Sequence, residues 1–186
     1  FFSNTSPLRE LPQTFGALPS IEAFGLGLGR FAELPAMHGS RQLRWVTILR
    51  NDELVAVDLD LNDNPCLSWL RLRHCPQLAD LPQSLSAASN LRFLDYDQSA
   101  LVELPAVIAD LPELVQLRVP AELDAQVTEL LPGWQRAPSD RYPSWDRGGH
   151  WWLAPNLPDP LVLEEIIQRN IFRRIQDAYP GYDRFV

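Results

Sequence analysis

The chain has 186 residues, 46% of them hydrophobic, and its 24 acidic against 16 basic residues give a net charge of −8 at pH 7. That balance argues against nucleic acid or an anionic membrane surface as partner, no run approaches the ~20 apolar residues of a membrane-inserted span, and two cysteines do not make a disulfide framework. One core with an appendage, in a reducing compartment, is the expected organisation.

All 16 basic residues are arginine. A GC-rich bacterial genome favours arginine codons, and a chain with no lysine also cannot accept ubiquitin on an ε-amino group. Both explanations stand on the sequence alone. The opening "FFSNTSPLRE" shows no basic stretch followed by an apolar run, so no signal peptide is expected in these residues.

From there a unit recurs. Leu11-Pro12 is followed by apolar Ile21, Phe24 and Leu26, and Leu34-Pro35 by Leu43, Val46 and Ile48 after one deletion. Val57 leads to Leu67, Leu70 and Leu72, Leu81-Pro82 to Leu91, Leu94 and Tyr96, and Leu104-Pro105 to Leu114, Leu117 and Val119. Each unit passes from spaced apolar residues and proline to strand alternation, which neither a single helix nor a single strand would do. Five units start near Leu8, Phe31, Leu54, Leu78 and Leu101, at spacings of 23, 23, 24 and 23 residues. A fixed period of this length points to a stacked array whose units bury their apolar faces on one another.

With "LRWVTILRN" (43–51) and "LSWLRLRHC" (67–75), the chain resembles the leucine-rich repeat family over roughly residues 8–122. The resemblance implies an α/β fold, a solenoid of about five 23–24-residue repeats with a parallel sheet on its concave face, followed by a C-terminal cap and an irregular and helical tail. It also implies a ladder column, here Gly29, Asn51, Cys75, Ser99 and Glu122, in which Asn51, Cys75 and Ser99 satisfy loop backbone groups. The expected division is residues 1–122 for the repeats and 123–186 for the cap, a Pro/Trp-rich segment and a terminal helix packing on the solenoid.

A narrower resemblance covers "LRLRHCPQLADLPQSL" and "ELPAVIADLPELVQLRVPAELDAQVTELLPG", which look like the repeat region of type III secreted effectors of plant-pathogenic bacteria. This includes the Xanthomonas group, which couples such repeats to an E3 ubiquitin ligase domain. That likeness implies a virulence protein secreted into the host cell and acting in the host cytoplasm on a host protein. The bacterial cytoplasm is the alternative location.

Alternation then assigns the sheet face opposite the repeat core. One column reads Ala23, Trp45, Trp69, Phe93 and Gln116, the next Gly25, Thr47, Arg71, Asp95 and Arg118, and the third Gly27, Leu49, Arg73, Asp97 and Pro120. The candidate binding set is Trp45, Thr47, Trp69, Arg71, Arg73, Phe93, Asp95, Asp97, Gln116 and Arg118, with the aromatics expected to stand exposed, because tryptophan and arginine mark binding hot spots. A covering tail or an internal packing layer would bury them instead.

Catalytic and metal motifs fail on spacing. Asp58, Asp60 and Asn62 start like a calcium loop, but Asp63 and Trp69 stand where glycine and glutamate are required. Cys66, His74 and Cys75 match no zinc spacing, and no glycine-rich phosphate loop follows a strand. Ligases with a cysteine nucleophile in the resembling group use Cys-x-Asp, whereas this chain reads Cys66-Leu67-Ser68 and Cys75-Pro76-Gln77. No catalytic residue, metal or cofactor is therefore assigned.

The repeat fades after Asp124; "AELDAQVTELLPG" (121–133) is expected to form a capping helix, and residues 132–160, rich in proline and tryptophan, an irregular segment. Asp159-Pro160 then opens a helix whose Leu163, Ile167, Ile171 and Ile175 form an apolar stripe. The functional expectation is a protein-protein interaction module presenting its concave face to a host protein. The alternatives are the substrate-recognition part of an E3 ubiquitin ligase effector and a bacterial repeat protein with no host role. Neither partner identity nor oligomeric state is set by the sequence.

Overall fold

The computed structural model describes residues 2–3, 10–27, 29–34, 36–138, 149–155 and 157. Phe1–Pro155 form one compact unit; Asn156–Val186 form a second, of which residue 157 alone is described. The helix expected from Asp159 onward, with its apolar stripe, lies outside the described residues.

Among the described residues, eight strands build one sheet: β1 (Phe2–Ser3), β2 (Ala23–Gly27), β3 (Trp45–Leu49), β4 (Trp69–Arg73), β5 (Phe93–Asp95), β6 (Gln116–Val119), β7 (Gln135–Arg136) and β8 (His150–Leu153). They lie in the order β1-β2-β3-β4-β5-β6-β8-β7. The first six are parallel, and their pairing is in step with the sequence period. Trp69 sits beside Trp45 and Phe93, and Leu70 beside Val46 and Leu94.

Side chains alternate, so Phe24, Val46, Ile48, Leu70, Leu72, Leu94, Tyr96, Leu117 and Val119 all enter one core cluster. Leucines from the crossovers, including Leu54, Leu78, Leu91 and Leu114, close it from the other side. A residue such as Leu70, wholly buried, contributes on the order of 2 kcal/mol through removal of its apolar surface from water.

Crossovers between the strands are tight. The 3₁₀ turns Gln13–Ala17, Gln83–Ala87, Ala106–Asp110 and Ala121–Leu123 follow Pro12, Pro82, Pro105 and Pro120, whose φ values lie between −60° and −50°. Proline fixes the entry angle and lacks the N–H that would be orphaned there. Past the last turn, α1 (Asp124–Leu130) packs Val127 into the core.

The fold class differs from the α/β repeat solenoid expected. The sheet is mixed, since β8 runs antiparallel to β6 and β7 antiparallel to β8. Among the described residues α1, seven residues long, is the one α-helix. The physical reasons are local. Proline at the start of a crossover and the next strand some 10 residues later leave room for a single 3₁₀ turn. At the other end, β6 would expose unpaired backbone groups unless another strand covered it. Residues 150–153, expected to be irregular, supply that cover by pairing along β6, and residues 135–136, also expected to be irregular, pair with them in turn.

Candidate functional site

The sheet face opposite the core carries every residue of the sequence-derived set, but as a closed layer. Trp45 is 5% exposed, Trp69 and Phe93 1% each, and Thr47, Asp95, Asp97, Gln116 and Arg118 are likewise buried. The expected exposure of the aromatics is therefore not met. Trp45 and Trp69 rings lie 4.9 Å apart, Trp69 and Phe93 stack at 3.4 Å, and Trp151 of β8 adds a fourth ring 5.1 Å from Phe93. The Trp45 indole N–H donates to the Thr47 hydroxyl.

Beside the rings runs a network of charges. Arg71 Nε is 3.1 Å from the Asp95 carboxylate, Arg73 Nε 3.3 Å from Asp97 Oδ2, and Arg118 3.2 Å from the same oxygen. Arg71 also lies over the Trp69 and Phe93 rings at 5.1 and 5.3 Å, and Arg118 over Trp151 at 5.0 Å. Asp97 Oδ1 accepts the backbone N–H of Gly149, joining the network to the β8 end of the sheet. Burial pushes the Asp95 carboxyl up from its ordinary value, against the pull of Arg71, Arg118 and Arg73. Buried pairs of this kind fix geometry more than they add stability, because desolvation offsets much of their attraction.

The ladder residues follow the strands inward. Asn51 Oδ1 accepts from the Phe31 N–H at 3.2 Å and the Glu53 N–H at 3.4 Å. Cys75 is fully buried, its thiol 3.6 Å from the Arg73 carbonyl, and burial pushes that thiol up to about 11. Ser99 donates to the Tyr96 carbonyl at 2.9 Å and accepts from Leu101 at 3.3 Å. These contacts satisfy backbone groups of the turns, which leaves Cys75 packed and without the exposed thiolate that nucleophilic chemistry requires.

Two arrangements escaped the sequence. Asp124 gathers His150 Nδ1 at 2.6 Å, Arg136 at 3.3 Å and the Trp152 indole N–H at 3.1 Å, tying α1 to both tail strands. Separately, His38, Asp60 and Asp63 bring ligand atoms within 4.8 Å of one another. One Asp60 oxygen accepts both the backbone and side-chain N–H groups of Asn62 at 2.9 Å, and these bonds hold its carboxyl below the ordinary range. An exposed turn explains this trio fully. Asp58 does not belong to it.

A groove of about 650 Å³ opens between the loop carrying Val102 and α1, its apolar lining supplied by Val102, Leu104, Ala106 and Leu130. Gln126, Glu129 and Leu130 reach it because positions three and four apart share a helix face. Val102 is 82% exposed, against 50% for Val55 and 44% for Leu18, the other exposed large apolar residues described. No protein-family profile matches the chain, and neither does any curated protein. Among the described residues, no helix is long and apolar enough to cross a membrane.

Proposed function

We propose that this chain is a protein-binding module of a bacterial secreted effector, acting on a host protein through the groove beside α1. The observation carrying it is Val102, a β-branched apolar side chain standing 82% exposed at the mouth of that groove. The aromatic face is buried, its rings in contact with one another and Phe93 with Trp151 of β8, which turns the search for a contact surface elsewhere. The host and effector part of the proposal draws on the repeat resemblance and on the absence of lysine.

The absence of lysine also favours a second reading, the substrate-recognition part of a ubiquitin ligase effector. Incubation with ubiquitin-activating and conjugating enzymes, ubiquitin and the captured partner separates the two readings, since the ligase reading requires that partner to be modified when the module is joined to a ligase domain.

A photo-crosslinking residue at position 102, with a control at position 55, tests the main reading in plant and bacterial lysates. A discrete host protein captured at 102 and not at 55 is expected. Equal capture at both positions removes the groove as contact surface, and capture confined to the bacterial lysate removes the host role.

A further inference from the structure

The chemistry of the groove specifies its occupant. Its neutral polar groups are already paired: Gln126 Oε1 accepts the Leu104 N–H at 2.8 Å, and Gln126 Nε2 donates to the Val102 carbonyl at 3.2 Å. That double clamp holds the Val102 loop on α1, so the groove is formed before anything binds. What remains for a partner is the apolar lining and two carboxylates, Glu103 and Glu129.

Among the described residues, neither carboxylate has an ion-pair partner and no basic residue lines the groove. Its volume is about 650 Å³. We propose that the groove takes a short segment of a partner protein bearing one or two aliphatic side chains flanked by arginine or lysine. The proposal rests on the protein-binding reading and names the chemistry of that partner.

Each part of the segment answers one feature. Aliphatic side chains cover Val102 and Leu130, removing from water the apolar surface that the fold leaves outside. The flanking cations meet Glu103 and Glu129 at the rim, where complementary charge steers approach and rejects wrong partners more than it adds affinity. A second copy of the chain is the disfavoured occupant, because each copy carries a net charge of −8 and copies repel.

The test uses three fluorescein-labelled peptides read by polarisation: Gly-Arg-Leu-Leu-Arg-Gly, the charge-reversed Gly-Glu-Leu-Leu-Glu-Gly and the apolar-deleted Gly-Arg-Ser-Ser-Arg-Gly. The first should saturate below about 1 mM and bind about tenfold tighter than either of the others, with a preference that shrinks as salt screens the rim. Val102→Asp should abolish binding, and Glu103→Arg with Glu129→Arg should transfer the preference to the charge-reversed peptide. All three substituted positions are exposed, so a folded variant is expected, and an unchanged melting temperature checks it.

Equal binding of the charge-reversed peptide, or no saturation by the first, overturns the proposed chemistry. The crosslinking at position 102 reads the protein-binding reading independently: a captured host protein with no peptide preference leaves that reading standing and this one fallen. A concentration-dependent dimer lost on Val102→Asp would instead make a second copy the occupant and overturn it as well.

Discussion

Trp69 and Phe93 lie face to face, ring centroids 3.4 Å apart and planes 2° from parallel, on neighbouring parallel strands. Strand spacing of ~4.8 Å brings side chains of one column over each other, and Arg71 lies over both rings. Stacked in this way, the aromatics hold the sheet together across three strands. The Trp69 indole N–H is buried with no acceptor among the described residues, so the ring is there for its area and not for its polar end.

Trp69→Ala should therefore destabilise the protein by about 3–5 kcal/mol, because it opens a cavity inside the stack. Trp69→Phe keeps a ring and removes an orphaned donor, and it should cost less than about 1.5 kcal/mol. Denaturant midpoints of the two variants check this. A Trp69→Ala protein as stable as the parent would return the residue to the surface role that alternation alone assigned to it.

Cys75 should stay unlabelled by a thiol reagent in the folded protein, while half-buried Cys66 reacts, and both should react in denaturant. Its thiol is raised from an ordinary 9.0 to about 11, so its contribution to stability is complete below pH 9. Between pH 9 and about 11 that contribution fades, because the unfolded chain ionises first and gains relative to the folded one. Cys75→Ser should lose this part of the alkaline decline, measured by denaturation at pH 8 and near pH 10.

The period of 23–24 residues made the strand columns legible, and the pairing of Trp45 with Trp69 and of Trp69 with Phe93 follows it residue by residue. The Arg71–Asp95 pair was also within reach. Opposite charges 24 residues apart in one column of such an array are neighbours on adjacent strands. What alternation could not give is whether a face is covered. It says on which side Trp69 points and nothing of Trp151, which joins the stack from a segment with no repeat signal. The mixed sheet was hidden for the same reason, since "HWWL" alone does not tell a strand from an aromatic loop. The groove was hidden too, because it depends on how α1 sits against the Val102 loop.

Among the described residues, three that are not glycine have left-handed backbone conformations: Arg50 at φ 55°, His74 at 56° and Gln98 at 56°, each shortly after one of the parallel strands. The conformation recurs because the chain must turn sharply at that point to begin the next crossover, and a Cβ there costs about 1–2 kcal/mol. Gln98→Gly should remove that strain at the expense of a more flexible unfolded chain, leaving stability within about 1 kcal/mol of the parent. Gln98→Val, β-branched, should lose more than 1 kcal/mol on the same scale. Thermal melts of both variants separate a strained turn from a tolerant one.

Asp97 and Gly149 provide the sharpest check on how β8 is held. The Gly149 N–H donates to Asp97 Oδ1, while the other oxygen of that carboxylate faces Arg73 at 3.3 Å and Arg118 at 3.2 Å. A Cβ on Gly149 would lie 1.7 Å from the Val119 carbonyl oxygen and 2.7 Å from the Asp97 carboxylate, and backbone cannot yield by that much. Gly149→Ala should thus push the start of β8 off β6 with the charges left intact. Asp97→Ala leaves buried arginines facing the gap and should cost about 3–5 kcal/mol. Both variants should speed amide hydrogen exchange at residues 150–153 relative to residues 69–72, since strands β3 and β4 keep their partners. The double variant should cost less than the sum of the two, because once β8 is displaced the Asp97 carboxylate has already lost the Gly149 N–H. Full additivity, or exchange at 150–153 unchanged by Gly149→Ala, would show that β8 is held by its ladder to β6 alone.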